Sequence, residues 1–315
     1  MTPGQRADLE ALQAQRYDTT RATVPALETL LYTPVQVLDH GFVRVVDYMG
    51  DDDAIVQAAR VSYGRGTRRT SDDRGLIRYL MRHRHTTPFE MCEIKLHVKL
   101  PIFVARQWIR HRTANVNEYS ARYSILDREF YTPSTEVIRS RSRPSRHDRG
   151  EQLSLRKAAR VQELLREDAA RSYLHYEELL NESPTGEPHH ERRSGLAREL
   201  ARINLSVNFY TQWYWKTDLH NLLHFLSLRT DDDAQYEIRV YAEAILERIV
   251  KRWVPLVYEA YCYYRMNGAM LSEGALSVVR SLVAGRRAEA EALRRTSRIS
   301  AREWNELLKT LDLGG

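Results

Sequence analysis

Cys92-Glu-Ile-Lys-Leu-His-Val-Lys-Leu-Pro101 is the stretch on which the fold turns. Cys92, Ile94, Leu96, Val98 and Leu100 alternate with Glu93, Lys95, His97 and Lys99, a period of two that marks a strand with one buried face. Pro101 stands where proline is tolerated, at the first turn of a helix. That helix carries Phe103, Val104 and Trp108 inward and delivers Gln107, Arg110 and His111 at its C-terminal end. Residues 113–124 are expected as a loop on the end of a rigid element, where binding groups commonly sit.

Working upstream, Gly75–Arg84 is expected as a helix started by Asp72 or Asp73, with Leu76, Ile77, Leu80 and Met81 on its apolar face. Asp52–Ser62 has the same periodicity, with Asp51 to Asp53 available as caps. Val35–Asp39 and Gly41–Tyr48 are Val-rich and read as extended. Residues 1–35 hold a weak amphipathic helix at Ala7–Ala14 and form an N-terminal extension. Downstream, Arg139–Gly150 opens with five arginines in eleven positions and almost nothing apolar, so 135–150 is expected to be a mobile basic insert. Helices are expected at 151–182, 193–212, 217–229 and 234–264, interrupted by a Pro-containing loop at 182–190. An apolar stretch at 275–284 and a charged helical tail at 286–312 follow.

Strands early and helices late predict an α+β fold, with a small antiparallel sheet and a large set of helices. The sheet is expected from segments before residue 101. The organisation is a single domain over 36–265, with the N-terminal extension and a C-terminal helical tail over 266–315. No Gly-x-Gly-x-x-Gly follows a strand, and Gly64-Arg-Gly66-Thr lacks the Lys-Ser/Thr ending of a P-loop. Any dinucleotide must therefore be held in another way. No apolar run approaches membrane-spanning length, and the polar first twenty residues do not resemble a signal peptide. Cys92 and Cys262 have no spacing suited to zinc or a redox pair, which points to a reducing, cytoplasmic setting. Net charge is +6, and of 48 basic residues only six are lysine. Such a balance suits anionic small molecules or nucleic acid, and residues 139–149 with the basic tail are where the latter would bind.

Arg110-His-Arg-Thr-Ala-Asn-Val-Asn-Glu-Tyr-Ser-Ala-Arg-Tyr123 concentrates guanidiniums, a carboxylate, amides, hydroxyls and phenols that are costly to bury without partners. Arginine forks suit phosphate oxygens, and Asn and Glu suit the edges of a base. His220 and His224, four apart on a helix, fit a metal with Asp218, a packed pair, or a ligand contact. Arg229 reads as a helix C-terminal cation paired with an aspartate, or as a cation that stabilises charge developing on a substrate. Arg202 reads as a substrate contact or an ion pair with Glu199 or Asp218.

Arg110-His-Arg112, seven residues and then Ser120 resembles the signature of the flavin-dependent thymidylate synthases. His85-Thr-Thr-Pro-Phe-Glu90, Ala201-Arg-Ile-Asn204, Asn208-Phe-Tyr-Thr211 and Asp218-Leu-His-Asn-Leu-Leu-His224, with Arg229 beyond it, recur in family order across residues 38–265. The resemblance implies FAD as cofactor, NADPH and methylenetetrahydrofolate as cosubstrates, and dUMP converted to dTMP without a cysteine nucleophile. It implies FAD contacts from Ser62, His85, Thr87, Arg110, His111, Arg112, Glu118, Asp218, Leu219, His220 and His224. It implies dUMP contacts from Gln107, Trp108, Ile109, Arg110, Glu118, Tyr119, Ser120, Ala121, Arg122, Arg202 and Arg229. Arg229 is the catalytic residue on this reading, and the assembly is a homotetramer with shared sites. No resident metal, membrane or nucleic-acid partner is implied. Asp233, Ser206 and Asn115 depart from the family's frequent His, Pro and Ser, and Asp233 puts cofactor affinity in question.

Overall fold

The alternating stretch becomes the centre of a sheet. In a computed structural model that describes residues 3–61, 72–141, 149–183, 187–296 and 299–311, β3 (Glu93–Pro101) lies between two partners of its own length. Before it come α1 (Pro3–Ala14), α2 (Pro25–Glu28), β1 (Val35–Val37), β2 (Gly41–Met49), α3 (Asp52–Val61), α4 (Asp73–His83) and α5 (Thr87–Glu90). Asp72 caps α4 by accepting from the Gly75 amide at 2.8 Å, and Ile77, Leu80 and Met81 are its buried face. After β3 come α6 (Ile102–Trp108), β4 (Asn115–Glu118), β5 (Arg139–Arg141), β6 (Arg149–Gln152), α7 (Leu155–Leu180) and α8 (Arg198–Ala201). Then follow β7 (Tyr210–Asp218), α9 (Leu219–Arg229) and α10 (Tyr236–Ala244). The fold is α+β, as expected, with a five-stranded antiparallel sheet in the order β1-β2-β3-β7-β4.

That order corrects the expectation that the sheet comes from segments before residue 101. The helix expected over 193–212 is confined to α8 and a 3-10 turn, Arg202–Asn204. The chain then extends into β7, which pairs with β3 along its whole length from Glu93↔Asp218 to Pro101↔Tyr210. Phe209, Thr211, Trp213, Trp215 and Thr217 point inward and are buried. Tyr210 and Tyr214 are as apolar as the inward residues, which blurs the period of two in the sequence. Residues 115–118, expected within a loop, are an edge strand paired with β7. All four of its side chains are exposed, so no alternation betrays it.

The helix expected over 234–264 is continuous only as far as Val254. Beyond α10 it passes through a π-helical segment, Ile245–Val250, into α11 (Lys251–Trp253). Val254 leaves helical geometry at φ −135°, ψ 73°, because proline clashes with a helical residue before it. Pro255 then starts α12 (Pro255–Tyr261), followed by a second π-helical segment, Cys262–Met266. The flanks of the basic insert pair with each other as β5 and β6. Of the insert expected to be mobile over 135–150, residues 142–148 lie outside the described residues, as does Ser62.

Helices α6 and α9 pack on β7, and α10 packs on α6, α9 and the β1–β2 side. Trp108 is the centre of this layer. Its ring stacks on Phe225 at 4.6 Å and meets Trp215, Trp213 and Tyr241 edge-on at 5.4–6.0 Å. Burying side chains of this size contributes roughly 1.5–3 kcal/mol each. A second cluster joins Tyr173, Tyr176 and Leu180 of α7 to Ala201 and Phe209. On the opposite face of the sheet, Arg44 Nε donates to His97 Nδ1 at 3.0 Å, and burial holds His97 neutral, with its pKa lowered to about 4.

The chain divides into two compact units, residues 1–258 and 259–315. In the first, the N-terminal segment is tied to β2: Val24 N donates to Tyr48 Oη at 2.7 Å, and Tyr48 Oη donates to Glu28 at 2.5 Å. In the second, α13 (Glu273–Val283) packs on α14 (Arg287–Thr296), and α15 (Ala301–Thr310) begins at a Ser300 cap. Among the described residues, no helix is long and apolar enough to cross a membrane.

Candidate active site

The buried Trp108 anchors the last turn of α6, and His111 N returns to Trp108 O at 3.0 Å. This tight turn swings Ile109, Arg110 and Arg112 to the surface and leaves His111 half-buried. The C-terminal end of α9 arrives at the same place. Arg229 Nε donates to His111 Nε2 at 3.0 Å, so Arg229 is held by a histidine and not by the aspartate expected from its neighbours Asp231 to Asp233. The His111 ring stands edge-on to Phe225 at 5.0 Å and 6.1 Å from His224.

Burial, then the Arg229 charge, then His224 push the His111 pKa down to about 4. The ring is therefore neutral at neutral pH, and accepting at Nε2 places its single proton on Nδ1. Burial and the neighbouring Arg110 lower the Arg229 pKa from its ordinary value, yet a guanidinium keeps its proton at any working pH. Two arginines thus stand close enough to repel each other.

The edge strand β4 supplies the adjoining wall. Glu118 accepts from Thr211 Oγ1 at 2.7 Å, and Tyr119 N continues the strand pairing to Gln212 O at 2.8 Å. Ser120 Oγ accepts from Arg122 N and Nε, each at 3.3 Å, while the Arg122 guanidinium lies 5.1 Å over Tyr123. Gln107 donates to Gln235 at the start of α10. Sequence reasoning missed Thr211 and Gln235. Thr211 fell in a segment read as helix, and nothing in the sequence marks Gln235 as a partner of residue 107.

At the other end of α9, Asp218 caps the helix through Asn221 N at 2.9 Å and also takes Asn221 Nδ2 at 2.6 Å. Its oxygens are committed to the helix start. Leu219 is fully buried and its amide reaches Cys92 O at 2.8 Å. His220 and His224 sit one turn apart, half-buried and exposed respectively. Helix α5, with Thr87 at its first turn, packs against α9, and His85 lies just before it, its ring 5.7 Å from Tyr79. The side chains of Trp108, Leu219 and Ala121 are buried, so a ligand meets those residues through their backbone.

Arg202 lies on the 3-10 turn Arg202–Asn204. It is exposed on the turn that leads into β7. The ion pair with Glu199 or Asp218 is not formed among the described residues.

Among the described residues, Arg110, Arg112, Arg122 and Arg229 also have no carboxylate partner. Elsewhere the surface arginines pair freely, as Arg198 does with Glu182 and Arg239 with Glu243. Arg229 and the neighbouring Arg110, beside the neutral His111 imidazole, suit an anion with a hydrogen-bonding ring system. A flavin pyrophosphate and a nucleotide phosphate both meet that description. The donor set therefore fits FAD and a pyrimidine nucleotide.

Comparison with known proteins supports the same chemistry. Residues 44–256 match the family described as thymidylate synthase complementing protein. The flavin-dependent thymidylate synthase of Gluconobacter oxydans (strain 621H) is 59% identical over 312 residues, 99% of this chain and 98% of that protein. The enzyme of the same name from Rickettsia conorii is 59% identical, covering 92% of this chain and 98% of its own length. Among solved structures, the UMP/dUMP methylase PolB from Streptomyces cacaoi, bound with 5-Br UMP, is 33% identical with a TM-score of 0.62. The match covers 73% of this chain and 97% of that one. Its complex with 5-Br dUMP matches at 32% identity with the same TM-score.

Proposed function

The chain belongs to the thymidylate synthase complementing protein family, the flavin-dependent thymidylate synthases, and from that premise we propose that it methylates C5 of dUMP to give dTMP. Methylenetetrahydrofolate is the carbon donor, NADPH the reductant, and the protein works in the cytoplasm. FAD, when bound, supplies the reducing equivalents that the transfer of the folate methylene requires. Arg110, Arg112, His220 and His224, with Thr87 and His85 on the α5 side, are the groups that hold it.

The substrate sits against α9 and β4. Arg229 faces the uracil edge, where its charge favours the N3-deprotonated, enolate-like pyrimidine and so makes C5 nucleophilic. Ser120 and Gln107 donate to the nucleotide, and Arg122 and Arg202 meet its phosphate. A thiolate is not needed for this activation, and Cys92 is unsuited to give one. It is fully buried, and desolvation pushes its thiol up to about 12. Arg202 reaches the site from another copy of the chain, as a homotetramer with shared sites requires. Leu200, Ile203 and Val207 around it are half-exposed or more, an apolar surface of the kind that such an interface covers.

The observation that carries the reading is the Arg229 guanidinium, held by neutral His111, beside Arg110 and without a carboxylate among the described residues. Tritium release from uracil-C5-labelled dUMP tests it. Release should require FAD, NADPH and methylenetetrahydrofolate, and should fall by about 10²–10³ in Arg229→Ala. An Arg229→Ala protein with wild-type release would sink the assignment. UMP is a second substrate worth the same assay, because the 33% identical PolB is named a UMP/dUMP methylase.

A further inference from the structure

We propose that His111 is a positioning residue that orients the Arg229 guanidinium while leaving its charge intact, a role that rests on the reading of Arg229 given above. The pair is built from elements remote in sequence, the turn after α6 and the last turn of α9, and it closes at 3.0 Å between Arg229 Nε and His111 Nε2. The imidazole is itself held on several sides. Its backbone amide is bonded to Trp108 O, its ring edge lies against Phe225 at 5.0 Å, and His224 stands 6.1 Å away. Trp108 and Phe225 are fully buried and stacked, so the support of the ring is part of the rigid core.

The chemistry explains why the acceptor is a histidine. A guanidinium bound at Nε alone has its plane fixed, and both terminal NH2 groups remain available to a ligand. A carboxylate acceptor would orient the group equally well but would cancel the charge that the pyrimidine needs. A neutral imidazole orients without cancelling. Its environment keeps it neutral, because burial, then the Arg229 charge, then His224 disfavour a second proton on the ring.

Three substitutions separate this role from simple packing or flavin binding. Gln places an amide oxygen near the position of Nε2 and retains the acceptor; Phe retains the ring and loses the acceptor; Glu retains the acceptor and adds a negative charge. With dUMP as the probe, we expect His111→Phe and His111→Glu to lower kcat for tritium release by about 10–100-fold, and His111→Gln to recover to within several-fold of wild type. Flavin absorbance of the purified proteins should be equal throughout. In an Arg229→Lys background, which lacks the planar fork, His111→Phe should have little further effect. Wild-type kcat in His111→Phe would overturn the proposal. So would loss in His111→Gln as deep as in His111→Phe, or an activity loss that follows flavin content alone. Full activity in Arg229→Ala is a different result: it would remove the reading of Arg229 on which the proposal stands.

Discussion

Cys92 stands on the inward side of the central strand, and its surroundings make it a small hydrophobe. Its Sγ lies 3.5 Å from Asp51 O. Gly50 passes so close, at φ +83°, that a Cβ there would meet the sulfur at 2.6 Å. Burial, the largest influence, and the charges of the nearby Asp51 and Asp52 favour the neutral thiol and outweigh the backbone bond at Asp51. Cys92→Ala is therefore expected to cost about 1 kcal/mol in chemical denaturation and to leave dTMP formation within about twofold of wild type. Loss of turnover in a folded Cys92→Ala protein would return the thiol to the mechanism. The contrast with Arg229 is instructive. The alternation of the strand already places Cys92 on a buried face, whereas the partner that poises Arg229 is set by the fold.

At the scale of elements, the break between α11 and α12 creates a dependence on pH. Pro255 forces the helix to restart, and its exposed amides need acceptors. Asp52, at the start of α3, supplies them across the fold, accepting from Leu256 N at 2.9 Å and Val257 N at 3.1 Å. Burial, the largest influence, outweighs these donors and raises its pKa to about 6 from 3.8. A carboxyl with a raised folded-state pKa stabilises the fold fully below its unfolded value, and that contribution is lost as pH rises through about 6. Asp52→Asn removes the titration while keeping one acceptor. Urea unfolding of the two proteins should show the variant gaining on wild type between pH 4 and pH 6.5, and a constant difference would refute the assignment. The sequence identified Asp51 to Asp53 as caps of α3, and Asp51 does accept from Ala54 N at 2.8 Å. The bond from Asp52 to residues more than two hundred positions away was not legible. Nor was β7, whose two tyrosines hide its period, or β4, a polar edge strand that pairing alone defines.

For the whole molecule, the proposed sharing of sites means that one chain alone does not complete the site. The proposed homotetramer predicts a light-scattering mass close to four times the 36.8 kDa protomer. Dilution to monomer should abolish dUMP turnover before it unfolds the sheet; an active monomer would exclude a shared site. The charge of +6 raises the competing use of residues 139–149 and the tail, binding of nucleic acid. That use predicts DNA or RNA affinity falling steeply between 50 and 200 mM salt. We expect weak, unspecific binding that does not compete with dUMP. Tight binding in the absence of any flavin chromophore would favour the competing use.

The sequence by itself determined the central strand, the helices that carry a clear apolar face, and the residue types gathered at the site. Local alternation, capping groups and proline positions act over a few residues and can be read in order along the chain. The tertiary structure alone decided that β7 and β4 complete the sheet and that His111 meets Arg229. Those outcomes depend on contacts between segments about a hundred residues apart, where burial and partner geometry, not local preference, set both the charge state and the direction of a side chain.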